Sequence, residues 1–383
     1  MACSESASER AEPPAEPPIL ALSGELSGGD DDGRGNIRVA GGVDFDGGVR
    51  VDDVVVSPAR PRPGEPVHVT MTISGSKPGL RGRLGLRAPR SAGREELRPA
   101  KAQADPRDVF AEVDLRSPAV EVDLDLPSPW HPSTALLELT LFDGEDQLAA
   151  RRGARSGDGR GFLGVVRIER QATAVNAPKL SPEIDGALEE HSWGRPPALL
   201  VESLDGEPDP RPPTEVWFAW DADNLYVAGR LPDDDLWTTY EAQDDPLYKQ
   251  EAFEIFVAGD RSGKRYLEYQ VSARGITFDA RFPAYRRGDE AWDSRWNTAV
   301  EVDGTINEAH DQDRGWTVEA AIPWSELCAE TTFACPPAPG STLNVNVFRL
   351  DHPGRKETVA LALSPTLRPD FHAWENAALL ELR

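Results

Sequence analysis

The sequence predicts an all-β chain in which a polar tail precedes two β-sandwich domains. Three observations carry that expectation. Apolar residues recur in short, valine-rich alternating runs divided by proline and glycine, as half-buried strands do, and the amino-terminal half shows no helical period. The 383 residues exceed what one hydrophobic core usually supports, roughly 250–300, so length alone asks for two domains. Aromatic content then shifts along the chain: nine of the ten tryptophans follow Gln171, and only Trp130 precedes it.

Composition bounds the function. Hydrophobic residues make up 39% and aromatics 7%, enough to fill ordinary cores. Acidic residues outnumber basic ones by 66 to 41, a formal net charge of −25 that repels phosphate backbones and anionic headgroups. Nucleic-acid binding is excluded as a main activity. No stretch approaches the roughly 20 consecutive apolar residues of a membrane-spanning helix.

Residues 1–36 are rich in Ser, Glu, Pro and Gly and read as a disordered, semi-rigid tether, with Asp30, Asp31 and Asp32 as a solvated charge run. Within it, Met1-Ala2-Cys3-Ser4 places a small residue before a cysteine and a flexible spacer after it. That arrangement resembles the mature end of a bacterial lipoprotein, with Cys3 as the lipid anchor. Display on the cell surface or secretion is then expected, and it requires a charged and apolar signal segment upstream. The alternative is an incidental cysteine in the tail of a cytoplasmic chain.

Residues 37–170 follow. Candidate strands lie at 49–56, 66–73, 82–86, 110–115, 119–126, 135–142 and 162–168, a number and spacing that suggest an immunoglobulin-like sandwich. The Pro61-Arg62-Pro63-Gly64 turn fits between two of them, since proline presets φ and glycine admits left-handed geometry. No catalytic triplet stands out here, so this half reads as a spacer or presentation domain. The strand pattern lapses near 171–179, before Pro182-Glu183-Ile184-Asp185-Gly186, and a second domain spans 178–383.

In that domain strands are expected at 215–220, 225–231, 252–257, 266–272, 277–282, 317–322, 342–350 and 358–363, with a short helical turn starting at Ser325. Several blocks stand out in order. Ile184-Asp185-Gly186-Ala187-Leu188 with Trp193 comes first, then Trp220-Asp221 and Asn224-Leu225-Tyr226-Val227-Ala228, then Phe253-Glu254-Ile255-Phe256-Val257. Tyr266-Leu267-Glu268-Tyr269-Gln270-Val271, the run from Gly315 to Trp324, and Asp370-Phe371-His372 complete the series. Together they resemble family 9 carbohydrate-binding modules over about residues 178–383.

The resemblance implies a non-catalytic β-sandwich that binds plant polysaccharides such as xylan or cellulose, often at chain ends, with a sugar held between two aromatic side chains. The first aromatic corresponds to Tyr248; for the second, Phe371 and Trp374 are candidates. Family members usually carry tryptophan at these places, so Tyr248 and Phe371 are departures. Calcium stabilises some members and is the one cofactor implied, without ligands that map onto named residues here.

The residues themselves suit sugar. Pyranose rings offer weakly apolar faces and a rim of hydroxyls, matched by flat aromatics flanked by polar groups. Alternation in 266–272 puts Glu268, Gln270 and Ser272 on one face and Leu267, Tyr269 and Val271 on the core face. With Glu254 on the preceding strand, the first set forms a hydrogen-bonding platform; without partners it would be a solvated face. Arg349 offers either a charged donor or an ion-pair partner for Asp351. Trp292 and Trp296, in a loop over 287–297, reach ligand or tuck against the sheet, whereas Trp217, Trp220, Trp316 and Trp324 read as core.

Three cysteines without a CxxC pair leave no zinc or iron–sulfur site. Cys328 and Cys335 are close enough in sequence to form a disulfide, or stand as two buried thiols. Two other readings stay open: a glycoside hydrolase using Glu254 and Glu268 as paired carboxylates, and a structural or protein-binding component whose sugar site has decayed.

Overall fold

The computed structural model describes residues 26–27, 36–39, 42–87, 108–127, 134–152, 160–176, 181–188, 193, 196–206, 209–355 and 358–383. Cys3, the Asp30 to Asp32 run and Trp130 lie outside these residues. Part of the segment read as a tail has structure, because Leu26–Ser27 pairs antiparallel with Asn36–Val39. The described residues are nearly all strand and turn, with a single α-helix, Trp324–Glu330. No helix among them is long and apolar enough to cross a membrane.

The first domain is a β-sandwich. One sheet centres on Arg50–Ser57, flanked by Asn36–Val39 and Val43–Phe45 on one side and Pro66–Ser74 on the other, with Ala119–Asp125 beyond. The facing sheet centres on Thr134–Asp143, between Leu80–Arg87 and Gly161–Arg167. The period of two in the sequence is the period of burial: Val67, Val69, Met71 and Ile73 are buried on one sheet, and Ala135, Leu137, Leu139 and Leu141 on the other. Each of the larger side chains among these contributes about 1.5–3 kcal/mol by leaving water.

Only Ile168, Glu169 and Arg170 separate the two domains. The segment where the strand pattern lapses is itself a strand, Gln171–Asn176, which runs parallel to both Ala378–Leu382 and Thr214–Trp220. It sits in the middle of a long sheet whose order runs from Arg287–Asp289 through Thr277–Ala284, Tyr266–Val271, Ala252–Ala258 and Thr342–Asp351, then past that central strand to Asn224–Leu231, Gly315–Pro323 and Asn297–Asp303.

The sheet folds back on itself, so that Phe253, Ile255, Val257, Leu267, Tyr269 and Val271 of one limb pack against Val216, Phe218, Val227, Val318 and Ala320 of the other. Gly229 permits a close approach of the limbs, since a Cβ there would lie 2.8 Å from the Phe253 ring. A second cluster covers the outer face of the first limb and contains Leu247, Phe256, Tyr266, Phe278, Phe282, Phe348 and Trp374. Strands Ala252–Ala258 and Tyr266–Val271 are therefore buried on both faces. A disulfide joins Cys328, in the last turn of the helix, to Cys335 beyond it.

Candidate functional site

The site is set by strand register. Glu254 stands opposite Gln270, and Phe256 opposite Glu268, so these four side chains share the outer face of the first limb. The next strand aligns Phe278 with Gln270, Ala280 with Glu268 and Phe282 with Tyr266. Glu254 and Glu268 are diagonal neighbours in this ladder, a separation that side chains of their length bridge.

Three segments wall this face. The Leu247–Lys249 turn presents Tyr248, which is 48% exposed. The hairpin of Thr277–Ala284 and Arg287–Asp289 forms a second wall. There Gly288 is required, because a Cβ would meet the Phe282 ring at 2.9 Å, and Arg286 takes the left-handed region at φ 53°. The third wall is the carboxy-terminal segment bearing Phe371 and His372. Its half-buried Phe371 ring packs edge-on to Phe348 at 4.7 Å between centroids.

Tyr266 ties two walls together. Its hydroxyl accepts the Arg286 backbone N–H at 3.0 Å and lies 2.9 Å from His372 Nδ1, while its ring stacks on Phe282 at 4.5 Å. Burial lowers the His372 pKa to about 4, so the imidazole is neutral at pH 7 and shares a hydrogen bond with the tyrosine hydroxyl through Nδ1. His372 is thus a structural hydrogen bonder.

What remains is a cleft of about 330 Å³ lined by Tyr248, Glu254, Phe256, Glu268, Phe278, Phe282, Arg286, Gly288, Glu290, Phe371 and His372. Its size lies at the low end for small-molecule sites. Glu254 is 2% and Glu268 7% exposed. Desolvation raises both pKa values, and the Glu268 charge raises Glu254 further, well above the carboxylate range. Gln270 donates from Nε2 to Glu268 at 2.5 Å, which favours the anion on that side. The proton of the pair therefore stays on Glu254, and Glu268, raised to about 7, is the carboxyl that ionises. One is a donor and the other an acceptor.

Residues 184–378 match the family model described as carbohydrate family 9 binding domain-like, just over half of the chain. The chain belongs to this family. No curated protein matches the sequence. A crystal structure of a candidate carbohydrate-binding protein from Bacteroides uniformis is similar, with 13% identity and a TM-score of 0.43 over 56% of this chain and 99% of the other. At that level no statement about ligand passes from one to the other.

The order of the family 9 blocks has a structural reason. Glu319, fully buried in Gly315–Pro323, accepts the Asp185 and Gly186 N–H groups at 3.1 and 2.9 Å and the Trp193 indole N–H at 3.2 Å. One carboxylate thereby docks the opening block on the strand of the fifth. Asp221 does the same locally, accepting from Ser181, Tyr226 and the Asp223 and Asn224 backbone.

Of the residues expected at a sugar site, Tyr248, Glu254, Glu268 and Phe371 line one cleft. Gln270 is wholly buried behind it and orients Glu268, and Ser272 is wholly buried at the end of the same row. Four others are placed elsewhere. Trp374 is 3% exposed and packs beneath the cleft against Phe256 and Tyr266, because the Trp374–Asn376 turn points it inward. Trp292 and Trp296 lie on the opposite face of the sheet against Tyr269, held there by Glu326, which accepts from Ser294 Oγ at 2.6 Å and Arg295 N at 2.8 Å.

Arg349 is the fourth. It is 2% exposed and pairs with Asp233 at 3.1 Å and Asp351 at 3.3 Å. Conversely, Phe256, Phe278, Phe282, Arg286, Gly288 and Glu290 were not legible as site residues, although alternation of Phe278 and Phe282 was a signal once strand order was known.

Asp233, Glu251 and Asp351 place carboxylate oxygens within 4.8 Å of one another, the arrangement closest to a calcium site among the described residues. It does not fit the ion well. Arg349 already holds Asp233 and Asp351, Arg211 also pairs with Asp351, and burial raises Glu251 to about 9, where it keeps its proton. The cluster is an ion-pair network with one neutral acid.

Proposed function

We propose that the family 9 domain binds carbohydrate in the Tyr248–Phe371 cleft and does not cleave it. The observation that carries this reading is a buried carboxyl pair, one member a donor and the other an acceptor, between two accessible aromatic rings. A pyranose ring seated on Tyr248 or Phe371 would meet the electron-rich ring face with its C–H groups. Its hydroxyls would donate to Glu268 and accept from Glu254, replacing water in a site where hydrogen bonds are electrostatically strong. Carboxyls this deeply buried, one pinned by Gln270, are poorly placed to protonate or attack a glycosidic bond, which favours binding over hydrolysis.

The finer reading is that the ligand is a plant-type polysaccharide, xylan or cellulose, gripped at a chain end. Family resemblance supports it. The first sandwich, of immunoglobulin-like type, would space this domain from an anchor at Cys3 and display it outside the cell. The Cys328–Cys335 disulfide supports that compartment, since such bonds persist where conditions are oxidising.

Calorimetric titration of the full chain with xylo- and cello-oligosaccharides, alongside the same sugars with reduced ends, tests the proposal. Saturable heat that is weakened in Tyr248→Ala supports it, and sensitivity to end reduction supports chain-end recognition. No heat with any sugar would favour a scaffold with a decayed site, and release of reducing sugar abolished by Glu254→Gln would establish a hydrolase.

A further inference from the structure

In a chain of net charge −25, positive charge gathers at the junction of the two sandwiches. Arg60 and Arg167 from the first domain, Arg170 from the connector and Arg261 from the second line one crevice, closed by Ser364 and Asn376. Two of the four are paired. Arg261 bonds both oxygens of Glu169, at 2.5 and 3.3 Å, and the Ala377 carbonyl at 2.8 Å. Arg170 pairs with Glu202. Glu375, the remaining nearby acid, pairs with Arg368 at 3.1 Å.

Arg60 and Arg167 are left over. Arg167 reaches only the amide oxygen of Asn376, and its Nε, like that of Arg170, is buried without a partner. Arg60 makes no hydrogen bond or ion pair with any described residue; Arg261 and Arg167 oppose its charge, while Glu169 and Glu375, which favour it, are already paired with Arg261 and Arg368. Burial lowers the pKa of both, Arg60 to about 10, which leaves each charged at neutral pH. A desolvated pair of like charges is costly unless a counter-charge joins it.

We propose that this crevice binds a small inorganic anion that bridges the two domains, with one atom seated between the Arg60 and Arg167 guanidiniums. The free space, about 10 Å³, admits a single water-sized group. The occupant is thus a halide, or one oxygen of a phosphate or sulfate whose remaining atoms face the opening. Guanidinium forks suit either. Because the crevice is lined from both sides, an anion there ties the first sandwich to the carboxy-terminal segment of the second. This inference does not depend on the sugar site.

The test uses the full chain in gluconate, taken as the reference anion, at constant ionic strength. Chloride, sulfate and phosphate are added separately while the melting temperature is followed. A saturable rise is expected in wild type and in Arg314→Met, an exposed arginine outside the crevice, and its loss in Arg60→Met and Arg167→Met. The anion that saturates at the lowest concentration identifies the occupant. Equal responses in all four proteins, or none in wild type, would overturn the proposal in favour of water alone solvating the pair. Broadening of the ³⁵Cl resonance by wild type, reversed by sulfate or phosphate, provides the same decision if neither variant folds.

Discussion

Gln270 donates from Nε2 to Glu268 Oε1 at 2.5 Å, with both side chains buried on the face that carries the cleft. The bond decides which of two crowded carboxyls keeps the negative charge. Glu254 stands directly across from Gln270 and has no comparable donor, so the shared proton resides there.

Replacing the two acids should therefore have unequal effects. Glu268→Gln removes a charged acceptor, and sugar affinity should fall by about 1–2 kcal/mol, roughly 5- to 30-fold. Glu254→Gln mimics the protonated acid and should change affinity by less than about 5-fold, the lower end of that difference. It should also stabilise the fold at pH 7 by about 1–3 kcal/mol, since the unfolded chain no longer gains by ionising that carboxyl. Calorimetry and urea melts at pH 4 and pH 7 check both, with the stability gain absent at pH 4.

Tyr248 is exposed and packs against little, so Tyr248→Ala should leave the melting temperature unchanged. Loss of ring stacking should cost about 0.5–1.5 kcal/mol of sugar affinity, a 2- to 10-fold effect. A fall in stability instead of affinity would show that the ring serves the fold.

Phe371 and Trp374 should separate cleanly despite being three residues apart. Phe371→Ala should reduce sugar affinity, whereas Trp374→Ala should cost about 3–5 kcal/mol of stability through a cavity under the sheet. Paired denaturation and binding curves for the two variants decide it.

Glu251 supplies a pH test away from the cleft. Its folded pKa, about 9, lies above the ordinary 4.5, so its ionisation favours the unfolded chain. That cost is absent below pH 4.5, grows as pH rises and is complete near 9. Glu251→Gln keeps an oxygen for the Trp237 N–H and should stabilise the protein increasingly over that window. Melting temperatures of both proteins across the range provide the comparison.

Reduction of the Cys328–Cys335 disulfide, which closes a loop with a sequence separation of 7, should cost about 2–3 kcal/mol on a chain-entropy estimate. Melts with and without reductant, beside a Cys328→Ser and Cys335→Ser double variant, measure it.

Much of this architecture was legible beforehand. The two-residue period of 266–272 placed Leu267, Tyr269 and Val271 inward, because strand geometry alone sends alternate side chains to opposite faces. The central strand Gln171–Asn176 was not legible, because its sequence lacks a strong apolar alternation and its neighbours, Thr214–Trp220 and Ala378–Leu382, are remote along the chain. Arg349, Trp292, Trp296 and Trp374 have side chains suited to sugar, and only their packing withdraws them.

By itself, then, the sequence determined the strand period, the order of the family blocks and an acidic, all-β chain, since each depends on local residue type and spacing. The tertiary structure alone decided that the row of Glu268, Gln270 and Ser272 is buried rather than solvated, and that one proton is shared with Glu254. The Tyr248 turn, the hairpin and the Phe371 segment converge on that row from positions far apart in the chain, and desolvation by such distant neighbours leaves no mark on the sequence around a carboxylate.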